Sequence, residues 1–380
     1  MLFCILISMN IVEVKTPKDQ ANFLEVARII YQDDENWICP LDQELTAVFD
    51  PKLNSFHQHG VCTRWVLKSD NDKLIGRVAA FINDKKAYKH EIPTGGMGFF
   101  ECIDDKQAAQ LLFDTAKNWL SKQGMKAMEG PINFGENDTF WGLLVEGFTP
   151  PSYGMNYHKP YYHQLFKNYG FTTQYEQITN HLDLHLPFPE RFTKIAEWVS
   201  AKPGYRFEYL KSSQIEKYAL DFIEIYNDAW QNFENFVPLE KQVVMESFQK
   251  MKAIMDEKLI WFAYVNNEPA SFVVILPDAN QLIKSFKGKL GWWQKIQFVY
   301  KRWRGVSRLR AVVMGTKIGF QKHGLESALF IQLKKYVMPQ KRYKELELSW
   351  VGDFNDKMIA IHQATGAKFG KRHLTMRKTF

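Results

Sequence analysis

The chain has 380 residues, of which 46% are hydrophobic and 15% aromatic, which is enough for two or three packed domains and excludes a disordered protein. Its four cysteines include no CxxC pair, which excludes a zinc ribbon and a disulfide framework and fits a reducing cytoplasm. The net charge of +7 is unevenly placed along the chain, and that points to an anionic partner.

The first ten residues, MLFCILISMN, are too short an apolar run to span a bilayer and lack the basic flank of a signal peptide. Met9 is read as the natural start, with residues 1–8 an upstream extension. Helical periodicity predicts a helix over 18–31, and alternating or continuous apolar runs predict strands at 61–67, 74–82, 97–102 and 126–130 around a helix at 106–123. A long polar and aromatic segment follows, with Asn133, Asn137, Asp138, Trp141, Tyr157 and Tyr161. It can form a substrate cleft or pack an interface, and the sequence leaves both open. The prolines of HLPFPERF, residues 185–192, mark a boundary, so the domains are 9–187 and 188–380.

Just before that boundary His181, Asp183 and His185 alternate along a strand and share one face. No fourth ligand accompanies them, so no metal is expected. The second half predicts helices at 214–231, 239–256, 326–338 and 355–365 and strands at 259–265, 270–276, 310–318 and 345–351. Between Asp278 and Glu326 there is no acidic residue. The stretch 287–310 interleaves cations with Trp292, Trp293, Phe298, Tyr300 and Trp303 at helical spacing. Such a helix can lie on a membrane, bind nucleic acid through 284–310, or pack on its own domain with a solvated basic face.

The segment GFQKHGLESALF, residues 319–330, joins a strand to a helix and carries two glycines and two cations. Backbone N–H groups at such a helix start point at one place and suit a phosphate. Glu326 is the discordant residue: it repels phosphate if it faces the loop, and is an ordinary first-turn acid if it faces away.

The chain also repeats itself. Lys126, Glu129, Asn137 and Asp138 match Lys344, Glu347, Asn355 and Asp356 at a single offset. Each copy closes on a helix ending at a glycine, Gly170 or Gly366, as a left-handed cap requires. A duplicated α/β unit with a mixed sheet covered by helices follows from this order.

The second half resembles the GNAT acyltransferase superfamily. A strand leads into Q-K-H-G-L-E, similar to the family's pyrophosphate loop, then come a helix, a strand, and a helix opening at Asn355 eleven residues before Gly366. The whole chain resembles the tandem GNAT proteins, a bacterial group, through GPINFGENDTFWGLLVEGFTPP and PYYHQLFKNYGF. The resemblance implies two GNAT-like domains, each a mixed, mostly antiparallel sheet flanked by helices. It implies acetyl-CoA or another acyl-CoA held by Gln321, Lys322, His323, Gly324, Leu325 and Asn355. It puts His362 where the family places the acid for the leaving thiolate, and Glu347 on the strand where the acyl group would sit; with Trp350 nearby, Glu347 can be a base or a wall of the substrate site, or a strand carboxylate facing solvent. The first half, with IDDKQA at the matching place, lacks the coenzyme landmarks. The reading is an acyl-CoA-dependent N-acyltransferase acting on a small-molecule or peptide amine. Its alternatives are a catalytically silent tandem fold that binds a small ligand, and a Fem-like transferase fed by aminoacyl-tRNA.

Overall fold

The computed structural model of the protein describes residues 9–89, 91–232 and 238–380, so the extension read at 1–8 lies outside them. The chain forms two units. The first takes in the chain up to Gln177, then Ile283–Gln297 and Lys371–Phe380; the second takes in Ile178–Leu282 and Phe298–Gly370. The units are thus interleaved along the sequence, not divided at one point near 187.

The first unit opens with β1 (Asn10–Glu13), α1 (Pro17–Ile30) and α2 (Asp42–Val48). There follow β2 (Gly60–Lys68), β3 (Leu74–Asn83), α3 (Asp84–Ala87), β4 (Thr94–Cys102), α4 (Lys106–Lys122), β5 (Ala127–Gly130), β6 (Leu143–Glu146) and α5 (Tyr162–Tyr169). Strands β1 to β4 pair antiparallel in order, and β5 lies parallel to β4. A long strand β7 (Thr172–Asp183) carries the chain from the first unit into the second.

The second unit holds α6 (Glu190–Ser200), β8 (Tyr205–Tyr209), α7 (Ile215–Trp230), α8 (Lys241–Met251), β9 (Ile260–Val265) and β10 (Glu268–Pro277). Helices α9 (Ala279–Ile283) and α10 (Trp292–Arg304) are shared, since Ile283–Gln297 belong to the first unit. Then come β11 (Arg308–Thr316), α11 (Leu325–Val337), β12 (Glu345–Glu347), β13 (Val351–Gly352), α12 (Asp356–Ala364) and β14 (Lys368–Thr379). Strands β8 to β11 pair antiparallel in order, and β12 lies parallel to β11. The fold is the expected α/β arrangement of mixed, mostly antiparallel sheet with helices against it.

Each unit is completed by strand residues from the far half of the sequence. The end of β14 pairs with β5, from Met376 opposite Gly130 to Thr379 opposite Ala127. The end of β7 pairs with β12, from Leu182 opposite Leu346 to His181 opposite Glu347.

Local chemistry explains the elements. Thr16 and Asp19 close a capping box on α1, and Asp105 caps α4 through the N–H of Ala108 at 2.7 Å. Helix α4 buries Leu112, Phe113, Ala116 and Leu120 on one face, and Phe113 stacks on Phe100 of β4 at 4.5 Å. In the second unit Phe222 of α7 meets Phe272 of β10 at 4.5 Å above a core with Tyr218, Ile225 and Phe262. Helix α5 ends on Gly170 at φ 92°, and Gly366 follows α12 at φ 78°, both left-handed.

The predicted helices at 18–31, 106–123, 214–231, 326–338 and 355–365 all form, within a residue or two at each end. The predicted strand 345–351 stops at Glu347, where its pairing with β11 ends, and resumes only as Val351–Gly352. Helix α6 begins right after Pro189, which serves as its N-cap. The prolines of 185–192 therefore start a helix as well as end a strand.

Candidate active site

Strand β11 and the loop after it build the site's first edge. Its register with β10 slips between Val274 and Ile275, leaving Val312 as an extra residue, a β-bulge. Its pairing with β12 ends at Arg310 opposite Glu347, while β11 runs on to Thr316. The hydroxyl of Ser349 reaches the carbonyls of Ala311 at 2.6 Å and Val312 at 2.9 Å. The two parallel strands therefore part beyond Glu347, with Ser349 bonding across the parting.

The loop that follows opens with a short 3-10 turn, Ile318–Phe320. The chain then passes through two left-handed residues, Lys322 at φ 72° and Gly324 at φ 77°, into α11. Gly324 is the N-cap residue, and no side chain caps the helix. A glycine is required there: a Cβ would lie 3.0 Å from Val199 and 3.2 Å from Ile195, besides the strain of positive φ. The first-turn N–H groups of α11 and its dipole thus face outward without a protein side chain on them.

Glu326 accepts a hydrogen bond from the Thr316 hydroxyl at 2.7 Å, and Thr316 in turn meets Ser271 at 2.8 Å. The carboxylate is held against the end of β11 as a first-turn acid. Gln321 reaches the carbonyl of Thr316 at 3.5 Å and accepts from Lys357 of α12 at 3.0 Å. Lys322 is exposed. His323 bonds to the Tyr205 hydroxyl at 3.0 Å, which orients its ring. Leu325 is fully buried, so only its backbone can serve a ligand. Lys317 is buried and taken up by Glu224 and Glu268, and the N–H of Ile318 by Asp228. Lys357 was not singled out by the sequence reading; its place one turn into the helix that Asn355 opens is the signal that could have found it.

Glu347 is only 2% exposed, and its Oε2 lies 3.7 Å from Nε2 of His181, the residue opposite it on β7. Room for the imidazole comes from Gly370, where a Cβ would sit 1.9 Å from His181 Cδ2. Arg308 anchors the same face by bonding to Glu345 at 2.6 Å beside Asp278 at 3.6 Å. Burial works against its charge, but these carboxylates outweigh it and raise its pKa.

His362 is buried in α12, with Nδ1 3.1 Å from Asn180 Nδ2. An amide nitrogen can only donate, so Nδ1 accepts and the ring proton sits on Nε2. Burial pushes its pKa down to about 4, so the ring is neutral at physiological pH. Successive strand residues face opposite ways, which separates Asn180 and its partner His362 from the face of His181 and Glu347. Asn355 uses its Oδ1 to cap α12 through the N–H of Met358 at 3.2 Å. Trp350 is half-buried three residues beyond Glu347.

The first unit differs at the matching place. Segment 130–132 lies tight against β4, with the N–H of Ile132 on the carbonyl of Met97 at 2.9 Å. A Cβ at Gly98 would lie 1.8 Å from the carbonyl of Ile132, so glycine allows the contact that closes the gap. Trp141 is buried and bonds to Tyr175 at 2.9 Å and Thr375 at 3.2 Å. Tyr161 donates to the carbonyl of Cys102 at 2.7 Å, and Asn133 is buried beside Thr139 at 3.4 Å. Asn137 and Asp138 are exposed. Of the residues read as a substrate cleft, Tyr157 alone lines the small cavity of about 50 Å³ in this unit, with Trp37, Cys39, Arg77, Phe99 and Glu101. Its floor is Glu101, which accepts from Tyr31 at 2.7 Å and Tyr162 at 2.8 Å beside Arg77, and burial raises its pKa.

Among the described residues no group of three or more His, Cys, Asp or Glu side chains could hold a metal ion, and no helix is long and apolar enough to cross a membrane. Cys39, Cys62 and Cys102 are free thiols.

No known protein-family profile matches the chain. It is similar to the bacterial ceramide synthase of Caulobacter vibrioides, at 28% identity over 97% of both chains. It is also similar to the protein YghO of Escherichia coli, at 28% identity over 93% of this chain and 91% of that one. Among solved structures, a tandem GNAT protein from the clavulanic acid biosynthesis pathway superposes over 98% of both chains with a TM-score of 0.59 at 13% identity. That likeness carries the fold from end to end, and the parted β11–β12 pair followed by an uncapped helix lies where the sequence resemblance puts the coenzyme loop. The chain is therefore a tandem GNAT-fold protein.

Proposed function

We propose that the chain is an acyl-CoA-dependent N-acyltransferase, with its coenzyme site in the second unit and a long-chain amine as acceptor. The observation that carries the reading is the parting of β11 from β12 beside the uncapped, left-handed entry to α11. The contrast with the first unit supports it, since there Gly98 lets the corresponding gap close.

The phosphates of the coenzyme would rest on the first-turn N–H groups of α11, with Lys322 and Lys357 neutralising charge and Gln321, His323, Gly324, Leu325 and the Nδ2 of Asn355 shaping the cradle. Thr316 keeps Glu326 out of the way. The thioester would then lie in the gap past Ser349, where the backbone N–H at the Val312 bulge is the candidate donor to the carbonyl oxygen.

The amine nitrogen attacks the thioester carbon. A C–N bond forms, the C–S bond breaks, and the products are an amide and free coenzyme A. Glu347 and His181 take the proton that the amine loses. The departing thiolate gains its proton from solvent. A ceramide is a fatty amide of a long-chain amino alcohol. The similarity to a protein named a ceramide synthase therefore favours a long acyl chain and a long-chain amine over acetyl transfer to a polar one.

Calorimetric titration of the full chain with acetyl-CoA and with palmitoyl-CoA tests the cradle, and release of free thiol on adding sphinganine tests the chemistry. Binding of the long thioester, with thiol release only when the amine is present, is the expected result. Absence of binding to both thioesters would sink the enzyme reading and leave a tandem fold that binds some other small ligand.

A further inference from the structure

Helix α10 is mounted inside out. An ordinary surface helix turns its apolar stripe to the core and its charges to water. Here Trp292, Ile296, Val299 and Trp303 form one stripe by helical spacing, with Trp293 and Tyr300 along its edge, and all six are exposed. Trp292 is 74% and Trp303 79% exposed. The opposite side is the anchored one. Lys301 donates to the carbonyl of Leu282 at 3.1 Å, Arg302 to that of Met255 at 3.2 Å, and Phe298 is half-buried.

Charge is arranged around this stripe. Lys295 and Arg304 flank it on the helix, both exposed, and Lys284, Lys287 and Lys289 are exposed just before it. From residue 279 to residue 325 no carboxylate offsets them. Apolar and aromatic residues in the middle with cations at the rim match an anionic bilayer surface, where indole and aliphatic groups enter the headgroup boundary and lysines meet phosphate. Exposed Ile296 and Val299 at the centre of the stripe argue against a nucleic acid, which would use aromatic faces and cations but gains little from branched aliphatics.

We propose that α10 is a monotopic membrane-docking helix that lays its Trp292–Trp303 stripe into the headgroup region of anionic lipid. The contact is peripheral and salt-sensitive. It stands apart from the acyltransfer reading, because it requires no thioester.

Flotation of the full chain with phosphatidylcholine vesicles, with and without phosphatidylglycerol, tests it. The expected result is flotation with the anionic vesicles, reduced by salt and weakened about tenfold or more in Trp292→Glu/Trp303→Glu. Lys295→Glu/Arg304→Glu should lose the preference for anionic lipid. Both pairs are exposed, so unchanged thermal melting confirms intact folding. Three outcomes would overturn the proposal: no flotation with either vesicle, flotation that the tryptophan variant does not change, or a dimer that the variant dissociates in a protein that never floats. Retention on tRNA without vesicle binding would overturn it in favour of nucleic acid.

Discussion

Nε2 of His181 stands 3.7 Å from Oε2 of Glu347, opposite each other on paired strands. The two residues are 166 positions apart in sequence (347 minus 181), so only the exchange of strand β7 brings them together. A buried carboxylate beside an imidazole is a proton acceptor whose orientation is fixed. Glu347→Gln keeps the shape and removes the charge. Thiol release should fall by about 10²–10⁴-fold while the affinity for acyl-CoA stays within a factor of about two. Equal loss of both would show that Glu347 serves only the fold.

Gly370→Ala tests the same pair without touching either member. The added methyl occupies the place of the His181 ring and must push it off Glu347. Activity should fall about tenfold or more, with a melting temperature lowered by the displaced packing. Activity at the wild-type level would mean that the His181 position does not matter for proton transfer.

The coenzyme loop makes an electrostatic prediction. Lys322 and Lys357 are both exposed, so charge reversal at either should leave folding intact. Lys322→Glu/Lys357→Glu should weaken acyl-CoA binding about tenfold to a hundredfold, and the deficit should shrink as salt rises. A deficit independent of salt would place the phosphates elsewhere.

Acid stability should have an identifiable source. Burial holds His362 at a pKa of about 4, and burial with help from His373 holds His158 at about 3. Both values lie below that of an unfolded histidine, so the unfolded chain binds more protons across the window between. Stability is therefore full above about pH 6.5 and falls as pH drops toward 4, by on the order of 3 kcal/mol per histidine at the limit. Chemical denaturation from pH 7 to pH 4 should show the slope, and His362→Gln should flatten it. A slope unchanged in that variant would assign the acid sensitivity to other groups.

Much of this architecture was legible in the sequence because its helices are simple. Helix α4 shows a clean apolar stripe behind an aspartate cap, and α11 follows a glycine that geometry demands. Strand β7 was legible only at its end, around His181 and Asp183, and β14 was not legible, and the reason is physical. Their inward residues are polar: Gln177, Thr179, Lys371, His373 and Thr375 are all buried. Thr375 bonds to Gln177 at 3.2 Å and receives the indole of Trp141, so these strands satisfy their buried face by hydrogen bonds and show no apolar period. The same blind spot hid His181 from the site, since its partner Glu347 is remote in sequence. For Trp141 and Tyr161 the sequence left a cleft and an interface both open, because aromatics in a long loop suit either, and both spend their polar atoms inside the first unit. The outward stripe of α10 was visible as a pattern, though its direction was not, since periodicity gives a face and never says what that face meets.

The placement of the chain's last ten residues has a consequence for how the protein is made. Strand β5 of the first unit lies against β4 on one side and takes its other neighbour from the far half of the sequence, Met376 to Thr379. While the ribosome is still translating, that unit has its helices and five paired strands, with β5 an open edge. It cannot be sealed until residues 376–379 have been made. A nascent chain stalled anywhere before residue 371 carries an unfinished sheet and should be a client for chaperones and proteases.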